Sequence, residues 1–255
     1  MTGSANTLSP SLPSSLPDLH ADVWHAHALA GAPVQVQSTG HALLDAELPG
    51  GGWPVGALTE ILQPASLHAE WRLLLPALVR CGQGPVVLVG APHAPLSPAL
   101  AAQGLPADRL VWLAAGAAPA RLWAAEQALR CAAVDAVLLW CPSGAHTAAL
   151  RRLQMAAAEH RKLLFVLRPA SAQAEASPAV LRLLVQAPDV SGNTAPGNAS
   201  PGTAASGDVL QVRLLKRRGP VLARSLPLPA RAPHLLRLLT TAREVHALDR
   251  TAAAA

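Results

Sequence analysis

The sequence predicts an α/β fold with a mostly parallel, twisted sheet flanked by helices. Short apolar segments alternate along the chain with segments whose apolar residues recur at helical spacing. The apolar segments are hydrophobic at nearly every position, which is typical of strands that helices cover on both faces. Their alternation with helices implies a parallel sheet built by right-handed crossovers. The predicted strands of this sheet are Ala57–Leu62, Val86–Gly90, Arg109–Leu113, Ala136–Trp140 and Leu163–Leu167.

The predicted helices lie between these strands, in the positions that crossover connections require. In each of them the apolar residues recur with the period of a helix rather than in an unbroken run. Their predicted bounds are Ala69–Cys81, Pro98–Gln103, Pro119–Cys131 and Thr147–His160.

The pattern changes after the last of these strands. Two further strands, Ala179–Val185 and Val209–Lys216, follow without a helix between them. The segment that joins them is dominated by Gly, Pro, Ser, Ala and Asn, which predicts a mobile loop at about residues 187–208. We expect the sheet to end in two terminal antiparallel edge strands.

Both ends of the chain differ from the central part. Residues 1–18 are rich in Ser, Pro and Thr and too poor in apolar surface to fold alone, so we expect a disordered tail. Residues 19–230 then form one domain. Within residues 231–255 an amphipathic helix is predicted to begin near Pro233, which either packs on the domain or binds a partner. Its apolar positions are Leu235, Leu238, Leu239 and Val245.

The composition indicates a soluble, cytoplasmic protein. No uninterrupted apolar segment approaches the roughly 20 residues that span a membrane, and the N-terminus has no basic start before an apolar core. The three cysteines are far apart and odd in number, which disfavours both a disulfide framework and a metal site, so we expect buried thiols. From Asp208 onward nine Arg and Lys stand against three Asp and Glu, so the last part of the chain is basic.

Several short motifs occur in an order that resembles a known family. They are Thr39-Gly40, Leu44-Asp45, the turn GGWPVG at residues 51–56, and Glu60-Ile61 at the end of a strand. Together they resemble the start of the RecA recombinase core. The combination of GGWP with the later segment LLKRRGP at residues 214–220 resembles more specifically the ImuA family, RecA-like accessory proteins of bacterial translesion synthesis. The resemblance covers residues 34–226 and implies a RecA-like core.

The phosphate-binding loop of the RecA family departs from its pattern in this chain. Such a loop needs glycines whose N–H groups point at phosphate oxygens, a lysine, and a Ser or Thr that holds magnesium. Both glycines are replaced here, Ala69 stands at the lysine position, and the carboxylate of Glu70 would repel a phosphate. The corresponding positions are Gln63, Pro64, Ala65, Ser66, Leu67, His68, Ala69 and Glu70.

Three further family positions are also changed. The resemblance places the catalytic glutamate at Pro92, the magnesium-binding aspartate at Trp140 and the nucleotide-sensing glutamine at Arg168. A proline cannot act as a general base, and an indole does not bind magnesium. The resemblance therefore implies a pseudo-ATPase with no catalytic residues, no cofactor and no metal. Ser66 and Cys141 have no neighbouring groups in the sequence pattern that would support covalent catalysis.

Two other groups of residues have more than one interpretation. Lys216, Arg217 and Arg218 match the region where RecA presents lysines across a subunit interface, and they either contact DNA phosphates, meet an acidic partner, or face solvent. Among the tryptophans, Trp53 in the glycine turn is predicted to cover the degenerate site. Core packing is predicted for Trp71, Trp123 and Trp140.

The resemblance implies a function without catalysis. The expected role is that of an adaptor in SOS-induced, error-prone translesion DNA synthesis, working with ImuB and an error-prone C-family DNA polymerase and engaging ImuB, RecA or both. Two alternatives stay open at this point. One is a DNA-dependent ATPase or recombinase with an irregular nucleotide site, and the other is a SulA-like inhibitor of cell division.

Overall fold

The computed structural model describes residues 35–141, 147–187, 209–220 and 222–229. Several of the predictions concern residues outside these ranges. They are the tail at residues 1–18, the loop at residues 187–208 apart from Ala187, and the helix containing Leu235, Leu238, Leu239 and Val245. These stay predictions.

The described residues form ten strands and five α-helices. The strands are β1 (Val36–Gln37), β2 (Trp53–Pro54), β3 (Ala57–Gln63), β4 (Val86–Val89), β5 (Leu110–Leu113), β6 (Ala136–Trp140), β7 (Leu163–Pro169), β8 (Leu181–Gln186), β9 (Val209–Lys216) and β10 (Leu226–Pro229). The helices are α1 (Ala42–Asp45), α2 (Glu70–Leu78), α3 (Ser97–Ala101), α4 (Ala118–Arg130) and α5 (Thr147–His160). Two short 3₁₀ helices cover Ala107–Arg109 and Ala170–Ala174.

Eight of the strands form one sheet, in the order β10-β9-β8-β3-β7-β6-β4-β5, while β1 and β2 pair separately as an antiparallel ribbon. The six strands from β8 to β5 run parallel to one another. The register of β3 and β7 runs from Ala57 opposite Leu163 to Gln63 opposite Pro169. The predicted fold class, an α/β fold with a mostly parallel sheet flanked by helices, is confirmed.

The antiparallel end of the sheet differs in detail from the prediction. The strand predicted at Ala179–Val185 corresponds to β8, which is not an edge strand because it lies between β3 and β9. The terminal antiparallel pair consists of β9 and β10. Sequence reasoning missed β10, whose sequence is LPLP, because proline removes a ladder donor. Proline is tolerated at a sheet edge, which is where β10 lies.

Two apolar layers on opposite faces of the sheet explain why the strands are hydrophobic at nearly every position. On one face, Val87 and Val137 pack in the layer that contains Leu129 of α4 and Leu153 of α5. On the other face, a layer is built around helix α2, with its members Leu73, Leu74, Leu78, Leu88, Leu138 and Phe165. Each fully buried leucine side chain contributes roughly 1.5–3 kcal/mol, so these layers are the main source of stability.

Two tryptophans and one cysteine lie where the sequence did not predict them. Trp53 is 0% exposed and packs edge-on against Phe165, with ring centroids 5.4 Å apart, so it belongs to the core and is not a cover for the degenerate site. Trp123 was predicted to pack in the core, but 66% of its surface is exposed. Cys131 is exposed, whereas Cys141 is buried as expected.

In the described part of the chain, no helix is both long and apolar enough to span a bilayer.

Candidate functional site

An open cleft of about 520 Å³ lies where the carboxyl ends of β3, β4, β5, β6 and β7 meet. Parallel strands present these ends at the same edge of a sheet, and ligands of open α/β sheets bind in crevices there. The wall contains residues from the last positions of β3, β6 and β7 and from the described segments that follow β3, β4, β5 and β6. The volume falls within the range of small-molecule pockets.

The segment Gln63–Glu70, which the resemblance matches to a phosphate loop, is divided between the cleft, the surface and the core. Gln63, Pro64 and His68 line the cleft, whereas Ser66 is exposed and Ala69 is buried, and neither lines it. No residue of the segment 63–70 has a positive φ angle. The segment therefore lacks the alternation of right- and left-handed backbone that aligns N–H groups around a phosphate.

Glu70 lies in the first turn of α2 and is only 5% exposed. Its Oε2 accepts a hydrogen bond of 3.2 Å from Nε2 of Gln63. Helix N-termini carry a partial positive charge that stabilises anions. The carboxylate of Glu70 places a negative charge of the chain itself at the N-terminus of α2. This is the helix end at which a phosphate loop binds its phosphate.

The positions of the two missing acids also border the cleft. Pro92 and Trp140 both line it, and Trp140 presents a partly buried indole. Among the described residues of the wall there is no Asp, Glu or Lys. In the described ranges, no group of three or more His, Cys, Asp and Glu side chains is arranged to hold a metal ion. His68 packs edge-on against His93, with centroids 5.5 Å apart.

Arg168, which the resemblance matches to the nucleotide-sensing position, belongs to a buried ion cluster. Its Nη1 is 2.7 Å from Oε1 of Glu60, and both side chains are 0% exposed. Its Nη2 pairs with Glu175, and Nε of Arg182 pairs with the other oxygen of Glu60. Although burial acts to lower the pKa of Arg168, the hydrogen bonds to Glu60 and Glu175 raise it above its ordinary value. Two cations and two anions make the cluster neutral.

Cys141 lines the same cleft as a buried thiol. Burial raises its pKa above the ordinary value. A thiol is nucleophilic as its thiolate, so this environment keeps the side chain in its unreactive form at neutral pH.

Arg121 is a member of the cleft that sequence reasoning missed. It lies in the first turns of α4 and donates from Nε to the carbonyl of Ala115 (2.8 Å) and from Nη1 to the carbonyl of Trp140 (3.3 Å). Its stem crosses Gly90, where an added Cβ would lie 2.5 Å from Cδ of Arg121. One guanidinium thus spans the ends of β4, β5 and β6. No local pattern indicates this role, because it follows from the order of the strands.

The predicted basic contact residues lie at the end of β9, and none of them lines the cleft. Arg217 pairs with Oε2 of Glu47 at 3.3 Å and donates to the carbonyl of Pro220 at 2.6 Å. The carboxylate of Glu47 also accepts a hydrogen bond from Arg224, which is the main cause of its lowered pKa. Lys216 and Arg218 are exposed. Arg217 therefore has its partners within the chain, and Lys216 donates from Nζ to the carbonyl of Ser177 at 3.2 Å, while its side chain and that of Arg218 stay exposed.

No protein-family model matches the chain, and no curated protein is significantly similar to it.

Proposed function

We propose that this protein is a non-catalytic adaptor of SOS-induced, error-prone translesion DNA synthesis. Its RecA-like domain engages ImuB, which acts with an error-prone C-family DNA polymerase, and RecA is a further partner. The predicted helix with Leu235, Leu238, Leu239 and Val245 is the proposed docking segment, in the manner of an amphipathic helix that enters a groove. The protein acts in the cytoplasm.

The observation that supports an adaptor over an enzyme is the composition of the cleft wall. Phosphoryl transfer depends on magnesium, on a cation that neutralises developing charge, and on a group that positions the nucleophile. The described wall has no carboxylate to bind magnesium or orient water. Its cations are Arg121 and Arg168, and Arg168 is neutralised by Glu60 and Glu175. A triphosphate would meet one uncompensated cation.

Exposed apolar side chains provide surfaces for protein contact. Trp112 is 44% exposed on β5, the strand at the end of the sheet, and Trp123 is 66% exposed on α4. Leu96 and Met155 are each 70% exposed. Aromatic residues and methionine are enriched in protein interfaces, so such positions suit an adaptor.

The proposal is tested by pull-down of ImuB with the full-length chain. We expect binding, and we expect the double substitution Leu238→Asp and Leu239→Asp to reduce it at least roughly 10-fold, because burying two charges in an apolar groove is costly. The control is Lys216→Ala with Arg218→Ala, which leaves the apolar positions unchanged. Absence of ImuB binding by the intact chain would reject the proposal, and undiminished binding by the aspartate variant would reject the docking helix.

A cellular measurement checks the same function independently. Deleting the gene is expected to lower the frequency of damage-induced mutation, and expression of the intact chain is expected to restore it. A chain that restores mutagenesis only while hydrolysing ATP would be an enzyme, contrary to the proposal.

A further inference from the structure

The cleft carries one fixed positive charge that no carboxylate of the described residues neutralises. Arg121 and Arg168 are the arginines in its wall. Arg168 belongs to the neutral cluster with Glu60, Glu175 and Arg182. Arg121 has no ion-pair partner within the described ranges and is bonded only to two backbone carbonyls. A cation left alone in a cleft attracts a single negative charge.

Arg121 is held in place by hydrogen bonds that use only some of its N–H donors. A guanidinium has five N–H donors, and the bonds to the carbonyls of Ala115 and Trp140 use two of them. The remaining three have no acceptor among the described residues. Gly90, whose φ is +66°, leaves room for the arginine stem where any Cβ would collide with it. The group is thus pre-organised, and a carboxylate is the acceptor that matches its fork geometry.

Three more polar atoms of residues in the same wall have no hydrogen-bond partner within the part of the chain that the structure describes. They are Oε1 of Gln63, Nε1 of Trp140 and Nε of Arg168, and each is buried. Unsatisfied buried polar atoms are rare in folded proteins and call for an explanation. Two of the three are N–H donors, so donors outnumber acceptors once Arg121 is included. Such a wall favours a ligand that mainly accepts hydrogen bonds.

We propose that this cleft binds a carboxylate, supplied by an aspartate or glutamate side chain in an acidic segment of a partner protein. The single charge of a carboxylate matches the single uncompensated charge of Arg121. A nucleoside triphosphate carries about four negative charges and relies on a lysine and magnesium, and the described wall has neither the lysine nor a magnesium ligand. The choice of a protein as the source rests on the proposed adaptor function.

The test is a titration of the full-length protein with the peptide acetyl-Asn-Glu-Asn-Gln-amide, which carries one carboxylate, observed by NMR of the tryptophan indole N–H groups. We expect the signal of Trp140, assigned with Trp140→Phe, to shift saturably. The neutral peptide acetyl-Asn-Gln-Asn-Gln-amide is expected to leave it unchanged. Arg121→Gln is expected to weaken peptide binding roughly 10-fold or more, because it removes a charge-assisted hydrogen bond. The matched control is Arg130→Gln on the same helix, which pairs with Glu126 and does not line the cleft; it is expected to bind as the wild type does.

The other outcomes overturn the inference. These are no saturable shift with the acidic peptide, an equal shift with the neutral one, or unchanged binding by Arg121→Gln. Inorganic phosphate and ATP with magnesium are titrated in parallel, and tighter binding of either would make the cleft a phosphate site. If the peptide fails while ImuB is still captured, this inference falls and the adaptor function stands. If Arg121→Gln loses the peptide but captures ImuB with unchanged affinity, ImuB is not the source of the carboxylate.

Discussion

Glu60 is a charged side chain with no exposure to solvent, and two arginines compensate its buried charge. It lies on β3 and pairs with both Arg168 and Arg182. Removing an ion from water costs several kcal/mol, which is recovered only when its partners and remaining hydrogen bonds are in place. Arg182 contributes further bonds, donating from Nη2 to the carbonyl of Ala172 at 3.0 Å. The cluster ties β3, β7 and β8 together beside the cleft, so we interpret Arg168 as a structural residue.

Substituting Glu60→Gln is expected to lower the free energy of unfolding by roughly 3–5 kcal/mol, because it leaves two guanidinium groups buried without their shared anion. The control is Glu126→Gln, which removes the ion pair with the largely exposed Arg130 on α4. That change is expected to cost less than about 1 kcal/mol. Urea unfolding at pH 7, followed by circular dichroism, measures both. Equal losses for the two variants would show that the buried cluster has no special role.

His41 connects the start of α1 to α2 through a contact of 3.2 Å between its Nε2 and the carbonyl of Leu73. Burial lowers the pKa of this side chain below 6.5, against the opposing effects of that carbonyl and of Asp45, while Arg80 lowers it further. The fold therefore favours the neutral imidazole, and at mildly acidic pH the unfolded chain binds more protons. The stability contributed by His41 is present above about pH 6.5 and is lost as the pH falls toward the lowered value.

The substitution His41→Gln isolates this effect. We expect the difference in unfolding free energy between the wild type and the variant to be largest near neutral pH and to shrink as the pH falls below about 6.5. Urea titrations at several pH values measure it. A difference that grows as the pH falls would mean that the folded protein prefers the charged imidazole.

At the scale of elements, the sequence was most informative for buried strands. The predicted bounds of β6 and β9 match the observed ones, as do those of α5. Each of these elements has an unbroken apolar run, an alternating pattern or a long helical period, and burial of those residues fixes the element. The two-residue strands β1 and β2 are too short to give any periodicity.

Errors at this scale have a common physical cause, because periodicity indicates an element but not which way each side chain faces. Trp123 lies on α4, whose buried members are Ala125 and Leu129, so the tryptophan projects from another side of the helix. Trp53 follows three glycines and was expected at the cleft, but antiparallel pairing with Gln37 fixes β2 next to the core. Tertiary contacts, which the local sequence does not encode, decide both positions: strand pairing for Trp53, and the side of α4 that packs in the core for Trp123.

The turn after β4 provides the prediction at this scale. Gly90→Ala is expected to destabilise the protein by roughly 1–3 kcal/mol, since φ is +66° and the new Cβ would lie 2.5 Å from Cδ of Arg121. The matched control is Gly116→Ala, which also lies in the cleft wall but has no atom within 4 Å of the added Cβ. It is expected to change stability by no more than about 0.5 kcal/mol. Thermal unfolding of both variants measures the difference. Equal effects would mean that Gly90 does not make room for Arg121.

For the whole molecule, the strand order decides which residues meet. The order β3-β7-β6-β4-β5 brings the carboxyl ends of all five strands to one edge. The resemblance matches Gln63, Pro92, Trp140 and Arg168 to positions of a nucleotide site, and all four line the cleft. Arg121 could not be predicted in this way, because it reaches the cleft from a helix through two carbonyl contacts. The described residues of the wall are rich in hydrogen-bond donors and include none of the acids that nucleotide chemistry requires.

This composition leads to a prediction about nucleotide binding by the entire protein. A ligand present at about 100 times its Kd adds about 2.7 kcal/mol to the stability of the folded state. For a chain of this size that stabilisation raises Tm by roughly 5–10 °C. With millimolar ATP and magnesium we expect a change in Tm below about 1 °C, because one uncompensated arginine does not balance a triphosphate and Glu70 already supplies an anion at the N-terminus of α2. A RecA recombinase measured alongside serves as the positive control. A magnesium-dependent rise of several degrees in this protein would contradict the pseudo-ATPase interpretation and favour an ATPase with an irregular site.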